Sequence, residues 1–189
     1  MVLFVNDCVR ENSRTLELAQ AVLERVSGQI EEIRLYPDGP EGLNAEKLCL
    51  RDALLREDNY NDPMFRFAKQ FAAADTIVMA APYWDLAFPA KMRAYLEEIT
   101  VSGITFRYGA DGIPKGLCRA KSLIYVTTAG GPIIQNFGFE YVKALAHAFF
   151  GISDVALVKA EGLDIWGADP AEILAQAKCK IPSILGEQI

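Results

Sequence analysis

Short runs of consecutive apolar residues alternate along this chain with stretches in which apolar positions recur every three or four residues. Val2 to Val5, Thr76 to Ala81, Ser122 to Thr127 and Val155 to Lys159 have the length and β-branched content of buried strands, and Gln29 to Leu35 reads as another. After the first run, Leu16, Ala19, Leu23 and Val26 share one helical face, and Gly28 follows where a C-cap glycine belongs. Asp62-Pro63 reads as an N-cap with proline in the first helical position, opening a helix through Phe65, Ala68 and Phe71. Pro89 opens another that carries Met92, Tyr95 and Ile99, and Phe139, Val142, Ala146 and Phe149 mark a further one. Asp169-Pro170-Ala171-Glu172, with Asp as N-cap and Glu three residues on, starts the last helix.

That inventory amounts to five βα units. It predicts an α/β protein with a doubly wound, five-stranded parallel sheet in the order 2-1-3-4-5 and helices on both faces, the flavodoxin-like arrangement. Two segments depart from the rhythm: Tyr36 to Asn61, a polar connection with room for a short helix, and Val101 to Ala120. Sheets of this kind bind ligands beyond the carboxyl ends of their strands, so the loops after the strands carry the candidate chemistry.

Composition narrows the class. With 189 residues and 51% hydrophobic content, the chain predicts one domain, residues 1 to 189, whose core needs neither disulfides nor a structural metal. Cys8, Cys49, Cys118 and Cys179 form no Cys-x-x-Cys and have only His147 to join them, which argues against a metal cluster and for a reducing, cytoplasmic setting. The first residues carry no basic region and a short apolar run, so neither secretion nor membrane insertion is expected. A formal charge of −6 makes nucleic acid a poor partner.

The loop after the first strand, Asn6 to Thr15, gathers the hydroxyls of Ser13 and Thr15 and the guanidinium groups of Arg10 and Arg14 at a helix N-terminus. Free N–H groups and the positive end of the helix dipole face an anion there, so the cluster is a candidate phosphate site. The same residues also resemble a different chemistry. Cys8 and Arg14, with five residues between them and Thr15 following, look like the Cys-x5-Arg-Ser/Thr loop of low-molecular-weight tyrosine phosphatases and arsenate reductases. That resemblance implies a Cys8 nucleophile with a lowered pKa and Asp169 as general acid. Arg10 and Glu11 stand where that loop has small residues, and Asp169 already has work as an N-cap.

After the third strand, Ala81-Pro82-Tyr83-Trp84-Asp85-Leu86-Ala87-Phe88-Pro89 sets a proline turn and two large aromatics before a proline-started helix, a place where a planar ligand can slot. This stretch, continued through Ala90-Lys-Met-Arg-Ala-Tyr-Leu96, together with Gly103-Ile-Thr-Phe-Arg-Tyr108, Gly116-Leu117 and Tyr125-Val-Thr-Thr-Ala-Gly-Gly131, resembles FMN-dependent NADH azoreductases and related NAD(P)H:quinone reductases. The match runs over about residues 1 to 165 and includes the insertion at 101 to 120.

The resemblance implies a flavodoxin-like homodimer with FMN near the subunit interface, NADH or NADPH as electron donor, and a quinone, azo compound or similar small molecule as acceptor. It places Ser13, Arg14 and Thr15 at the FMN phosphate, with Cys8 beside it where relatives often have Ser. Pro82, Tyr83, Trp84, Asp85 and Leu86 would line the isoalloxazine, while Thr128, Ala129, Gly130 and Gly131 approach its other side and Tyr108 sits by the substrate. The glycines suit a close approach of backbone to a flat ring. Asp85 replaces a common Asn, and Ala129 replaces the Arg of many azoreductases. The flavin itself carries the chemistry, so no catalytic residue and no metal is expected, and His147, between two alanines, reads as a packing or surface residue. An electron-carrier flavodoxin remains a further alternative, which the acidity allows and the insertion at 101 to 120 argues against.

Overall fold

The computed structural model describes residues 1–186. Its main sheet consists of β1 (Val2–Asn6), β2 (Ile30–Arg34), β3 (Thr76–Ala80), β6 (Ser122–Thr128) and β7 (Asp154–Ala160), all parallel, in the order β2-β1-β3-β6-β7. Counted over the parallel strands this is the expected order 2-1-3-4-5. β1, β3 and β6 are buried at every position, which explains why they read as unbroken apolar runs, whereas β2 at the sheet edge buries only Ile33.

Helices cover both faces. On one, Leu18, Ala19 and Val22 of α1 (Arg14–Leu23) and Leu174, Ala177 and Ile181 of α6 (Pro170–Leu185) pack on Val2, Phe4, Val78 and Val126. On the other, α3 (Arg66–Ala73), α4 (Ala90–Ile99) and α5 (Phe137–Leu145) bury Phe71, Tyr95 and Val142 against Leu3, Val5, Met79 and Tyr125.

Several local readings are corrected. α1 stops at Leu23, capped through the Glu24 N–H, so Gly28 is not its cap; it takes φ 118° in the turn into β2. The polar connection holds a three-turn helix, α2 (Ala45–Arg56), whose Leu54 packs with Phe65 and Val101. Asp62 does cap, accepting from Met64 N–H at 2.8 Å, but it opens a 3₁₀ turn at 63–65 before α3 begins. The helix through Phe139 changes to a π turn at 146–150. The insertion at 101 to 120 folds as an antiparallel hairpin of β4 (Phe106–Tyr108) and β5 (Pro114–Gly116).

Register fixes the site. Asn6 pairs with Ala80, and Ala80 with Val126, so β1 and β3 end level. Asp7 N–H and Ala81 N–H continue the ladder to Ala80 O and Val126 O at 2.8 and 3.0 Å. The loops leaving these strands therefore rise side by side.

Candidate functional site

Where the β1 loop meets α1, a cleft of about 200 Å³ is lined by Val9, Arg10, Asn12, Ser13, Arg14, Thr15, Pro82, Tyr83, Trp84, Thr128, Gly130 and Asp164. Eight of the residues expected at a cofactor site thus meet in one place. A larger cavity of about 700 Å³ between the 37–51 connection, the 62–67 turn and α4 contains none of them.

Each wall has a local cause. Ser13 caps α1, its hydroxyl accepting from Leu16 N–H at 3.2 Å. Thr15 Oγ1 lies 2.6 Å from Thr128 Oγ1, a buried pair that ties α1 to the end of β6. Arg14 is held as well: NH1 and NH2 meet the two oxygens of Asp164 at 2.8 and 3.1 Å, and NH1 also donates to Leu163 O at 3.2 Å. That contact holds the Asp164 carboxyl below its ordinary pKa.

The loop after β3 begins as an extra rung of the sheet, Tyr83 N–H donating to Thr128 O at 3.0 Å. It then reverses between Trp84 and Ala87, which exchange backbone hydrogen bonds of 3.3 and 2.8 Å. Asp85 and Leu86 occupy this two-residue turn with φ of 50° and 70°, as a type I′ turn requires. Aspartate accepts this conformation readily, whereas a leucine there costs about 1–2 kcal/mol. Among the described residues, the N–H groups of Asp85 and Leu86 donate to no acceptor.

The loop after β6 shows the same polarity. The carbonyls of Ala129, Gly130 and Gly131 accept from the N–H groups of Leu163, Asp164 and Gly162 at 3.2, 2.8 and 3.0 Å. The N–H groups of Gly130 and Gly131 have no acceptor among the described residues. Two loops therefore carry free backbone donors, that of Gly130 in the cleft lining and the others next to lining residues in the chain.

The reason for the first glycine differs from the expectation. A Cβ at Gly130 would stand 2.2 Å from Asp164 Oδ2, so the neighbouring carboxylate fills that space, whereas a Cβ at Gly131 would meet nothing within 4 Å. Asp85, Leu86 and Gly131 border the cleft without lining it, and Ala129 is buried behind it. Tyr108 lies on β4, 58% exposed and edge-on to Phe106 at 5.3 Å, away from the cleft lining.

Val9, Asn12 and Asp164 are lining residues that the sequence did not single out, and Asp164 is the charged one. Its signal was its position, a carboxylate in the loop directly after the last strand. Asp169 caps α6 through Ala171 and Glu172 N–H at 2.9 and 3.3 Å, and His147 is exposed on the π turn. Burial pushes the Cys8 thiol up to about 11, with Asp7 and Glu32 adding to the rise against the Ser13 hydroxyl. Such a thiol stays protonated near neutral pH, which disfavours the phosphatase reading. Among the described residues, no cluster of three His, Cys, Asp or Glu suits a metal ion, and no helix is long and apolar enough to cross a membrane.

A doubly wound parallel sheet in this order, with a donor-lined crevice beyond its carboxyl ends, defines a flavodoxin-like protein. The Flavodoxin_2 family, described as a flavodoxin-like fold, matches residues 1–185. The chain is 35% identical over 176 residues to an FMN-dependent NADH:quinone oxidoreductase of Lachnoclostridium phytofermentans, covering 89% of this chain and 88% of that protein. It superposes on an azoreductase from Bacillus anthracis str. Sterne with a TM-score of 0.82 at 23% identity, over 96% of both chains. An FMN-dependent NADH-azoreductase from Bacillus anthracis str. Ames Ancestor, solved in complex with FMN, gives 0.76 at 23% identity, over 96% of this chain and 95% of that one. The chain belongs to the Flavodoxin_2 family and, within it, to the group of the FMN-dependent NADH:quinone oxidoreductases.

Proposed function

We propose that this protein is an FMN-dependent oxidoreductase passing electrons from NADH or NADPH to a quinone, azo compound or related small acceptor in two successive half-reactions. The observation that carries this reading is the convergence of the α1 N-terminus with two loops whose N–H groups at 85, 86, 130 and 131 are free. A phosphate suits the first, and a flat ring edged with carbonyl and ring-nitrogen acceptors suits the second.

At about 200 Å³ the cleft is smaller than the roughly 300–1,000 Å³ of pockets that hold a whole small molecule. Ser13, Arg14 and Thr15 would therefore hold the phosphate end of FMN, and the segment Pro82 to Leu86 would hold its ring. FMN, when bound, supplies the hydride and electron chemistry. The chain's own residues bind and orient: the helix N-terminus and the Ser13 hydroxyl anchor the anion, the backbone donors fix the ring edge, and Trp84 flanks the reacting side.

Trp84 and Leu86 of the loop after β3, Phe137 at the start of α5 and Trp166 of the loop after β7 are 41, 44, 56 and 99% exposed. Apolar exposure of this extent supports a homodimer in which a second copy covers the site. A single-domain, cytoplasmic enzyme is the setting that fits the composition.

The test is the visible spectrum of the protein after FMN loading and gel filtration, repeated anaerobically with NADH. A retained flavin band that bleaches is the expected result, and a colourless protein would overturn the reading. Asp85 offers a second check, because Asn tolerates the same left-handed conformation, so that Asp85→Asn removes the charge and keeps the turn. If the carboxylate faces the electron-rich pyrimidine edge, it disfavours the reduced anionic cofactor, and the variant's FMN midpoint potential rises. Equal potentials would place that carboxylate away from the ring.

A further inference from the structure

Beneath the proposed flavin bed lies a buried polar layer that nothing in the reaction described above uses. Asp7 is 0% exposed, and neither of its oxygens makes a hydrogen bond. The Tyr125 hydroxyl, Thr127 Oγ1 and Asn136 Nδ2 are likewise buried without partners. All four stand at the carboxyl end of the sheet: Asp7 follows β1, Tyr125 and Thr127 belong to β6, and Asn136 caps α5.

Their roof is the segment that runs from the aromatic loop into α4. A Cβ at Gly138 would meet Phe88 Cδ1, the Tyr125 hydroxyl and the Ala87 carbonyl carbon at 2.9 to 3.1 Å, so that hydroxyl lies directly under the loop. Asp7 faces the first turn of α4, where the Met92 N–H favours its charged form. α4 itself begins at Pro89 with no side-chain cap.

We infer that Asp7 is a positioning residue for segment 82–92: uncharged, it lets the loop and the first turn of α4 close over the polar layer, and charged, it opens them. The cofactor half of this inference rests on the function proposed above, whereas the movement of the segment does not.

The physical reason is that, among the described residues, no cation faces the carboxylate. From its own loop it meets the Cys8 thiol, from the residues after β2 Tyr36, and from β6 Tyr125. On α4, the Lys91 ammonium turns away to Gly39 O at 3.1 Å. The neutral acid fits this environment, and burial accordingly pushes its pKa up to about 8. A charge formed there has only the α4 N–H groups and phenol hydroxyls to turn to, and solvent entry through the overlying loop relieves it. The loop is held by few ties, among them Tyr83 N–H to Thr128 O at 3.0 Å and Phe137 N–H to Leu86 O at 2.9 Å.

The experiment is amide hydrogen exchange over residues 82–92 of the flavin-free protein at pH 6.5 and 9.5, corrected for intrinsic rates, with FMN affinity measured in parallel by fluorescence quenching. At the higher pH wild type is expected to lose about tenfold more protection in this segment than in α1 and α6, which follow only the global stability, and about tenfold in FMN affinity. Asp7→Asn keeps the shape without the charge and should show neither change. Asp7→Ala, a second uncharged variant, should also be flat with pH even if its protection is lower throughout. Protection that is independent of pH in wild type, or that falls equally in both variants, would overturn the inference. A segment that opens in wild type alone, in a protein that binds no FMN at either pH, would uphold it and overturn the flavin reading instead.

Discussion

Raising the pH from about 4 to 8 should make the flavin-free protein progressively less stable, and Asp7→Asn should abolish most of that loss. In the unfolded chain Asp7 releases its proton near its ordinary value of 3.8, whereas in the folded protein burial holds the proton until about pH 8. Between these values the native state binds more protons than the unfolded state, so stability falls as pH rises. Below about 4 both states are protonated, above about 8 both are ionised, and the contribution is flat. At roughly 1.4 kcal/mol for each unit of pKa difference, the accumulated loss is on the order of 5 kcal/mol. That is a large part of the roughly 5–15 kcal/mol that stabilises a typical domain. The opposite dependence of Asp75 and Asp164 does not obscure it. The N-terminal ammonium holds the Asp75 carboxyl down and Arg14 holds Asp164 down, so their stabilisation is present above the ordinary carboxylate range and is lost only as pH falls below it. Urea midpoints of wild type and Asp7→Asn across pH 4 to 9 check this, and curves that stay parallel would show that Asp7 ionises in the native state like a solvated carboxylate.

The second large effect is expected far from the cleft. Gly116→Ala should destabilise the fold by about 3 kcal/mol, at the upper end of what overpacking ordinarily costs. A Cβ at Gly116 would stand 2.2 Å from the Phe150 carbonyl carbon and 2.3 Å from the Gly151 nitrogen. Both are backbone atoms, fixed by the π turn at 146–150 and by the left-handed Gly151, so no side chain can swing aside. The β4–β5 hairpin would have to lift from that turn, separating Phe106 from Phe149, whose rings now stand edge to face at 4.9 Å. For a domain of this size such a loss lowers Tm by roughly 6–12 °C. Gly131→Ala is the matching control, since a Cβ there meets nothing within 4 Å. A Gly116→Ala variant that melts like wild type would mean that the hairpin, and Tyr108 with it, rides free of the body of the protein.

How much of this was legible in the chain depends on the range of the interaction concerned. The five strands, their order and most helices followed from apolar runs and from the caps at Asp62 and Asp169, because period and capping are set within a few residues. Helix ends were less legible. Gly28 carries the signal of a cap, yet α1 stops earlier, since the turn into β2 needs the positive φ more than the helix does. The hairpin at 106–116 and the length of α2 were also hidden, because both are fixed by packing on other elements: the hairpin on the π turn, α2 on Phe65 and Val101.

The crevice divides in the same way. Ser13, Arg14, Thr15, Pro82, Tyr83 and Trp84 were visible because each stands at the carboxyl end of a strand that the sequence marks, and the topology of a parallel sheet gathers such ends, whereas Thr128 and Gly130 came with the family resemblance. What each residue does there was not visible. Arg14 reads as a free cation until Asp164, 150 positions away, takes both arms of its guanidinium, and Gly130 reads as room for a ring until that same carboxylate fills the space. Asp7 reads as one more polar residue after a strand until α4 and Tyr125 seal it from water. The sequence by itself therefore determined the elements, the sheet and the address of the site, all of which rest on local periodicity. Only the tertiary structure decided which charges are paired, which donors are free and which carboxyl keeps its proton, because those depend on burial and on partners brought together from opposite ends of the chain.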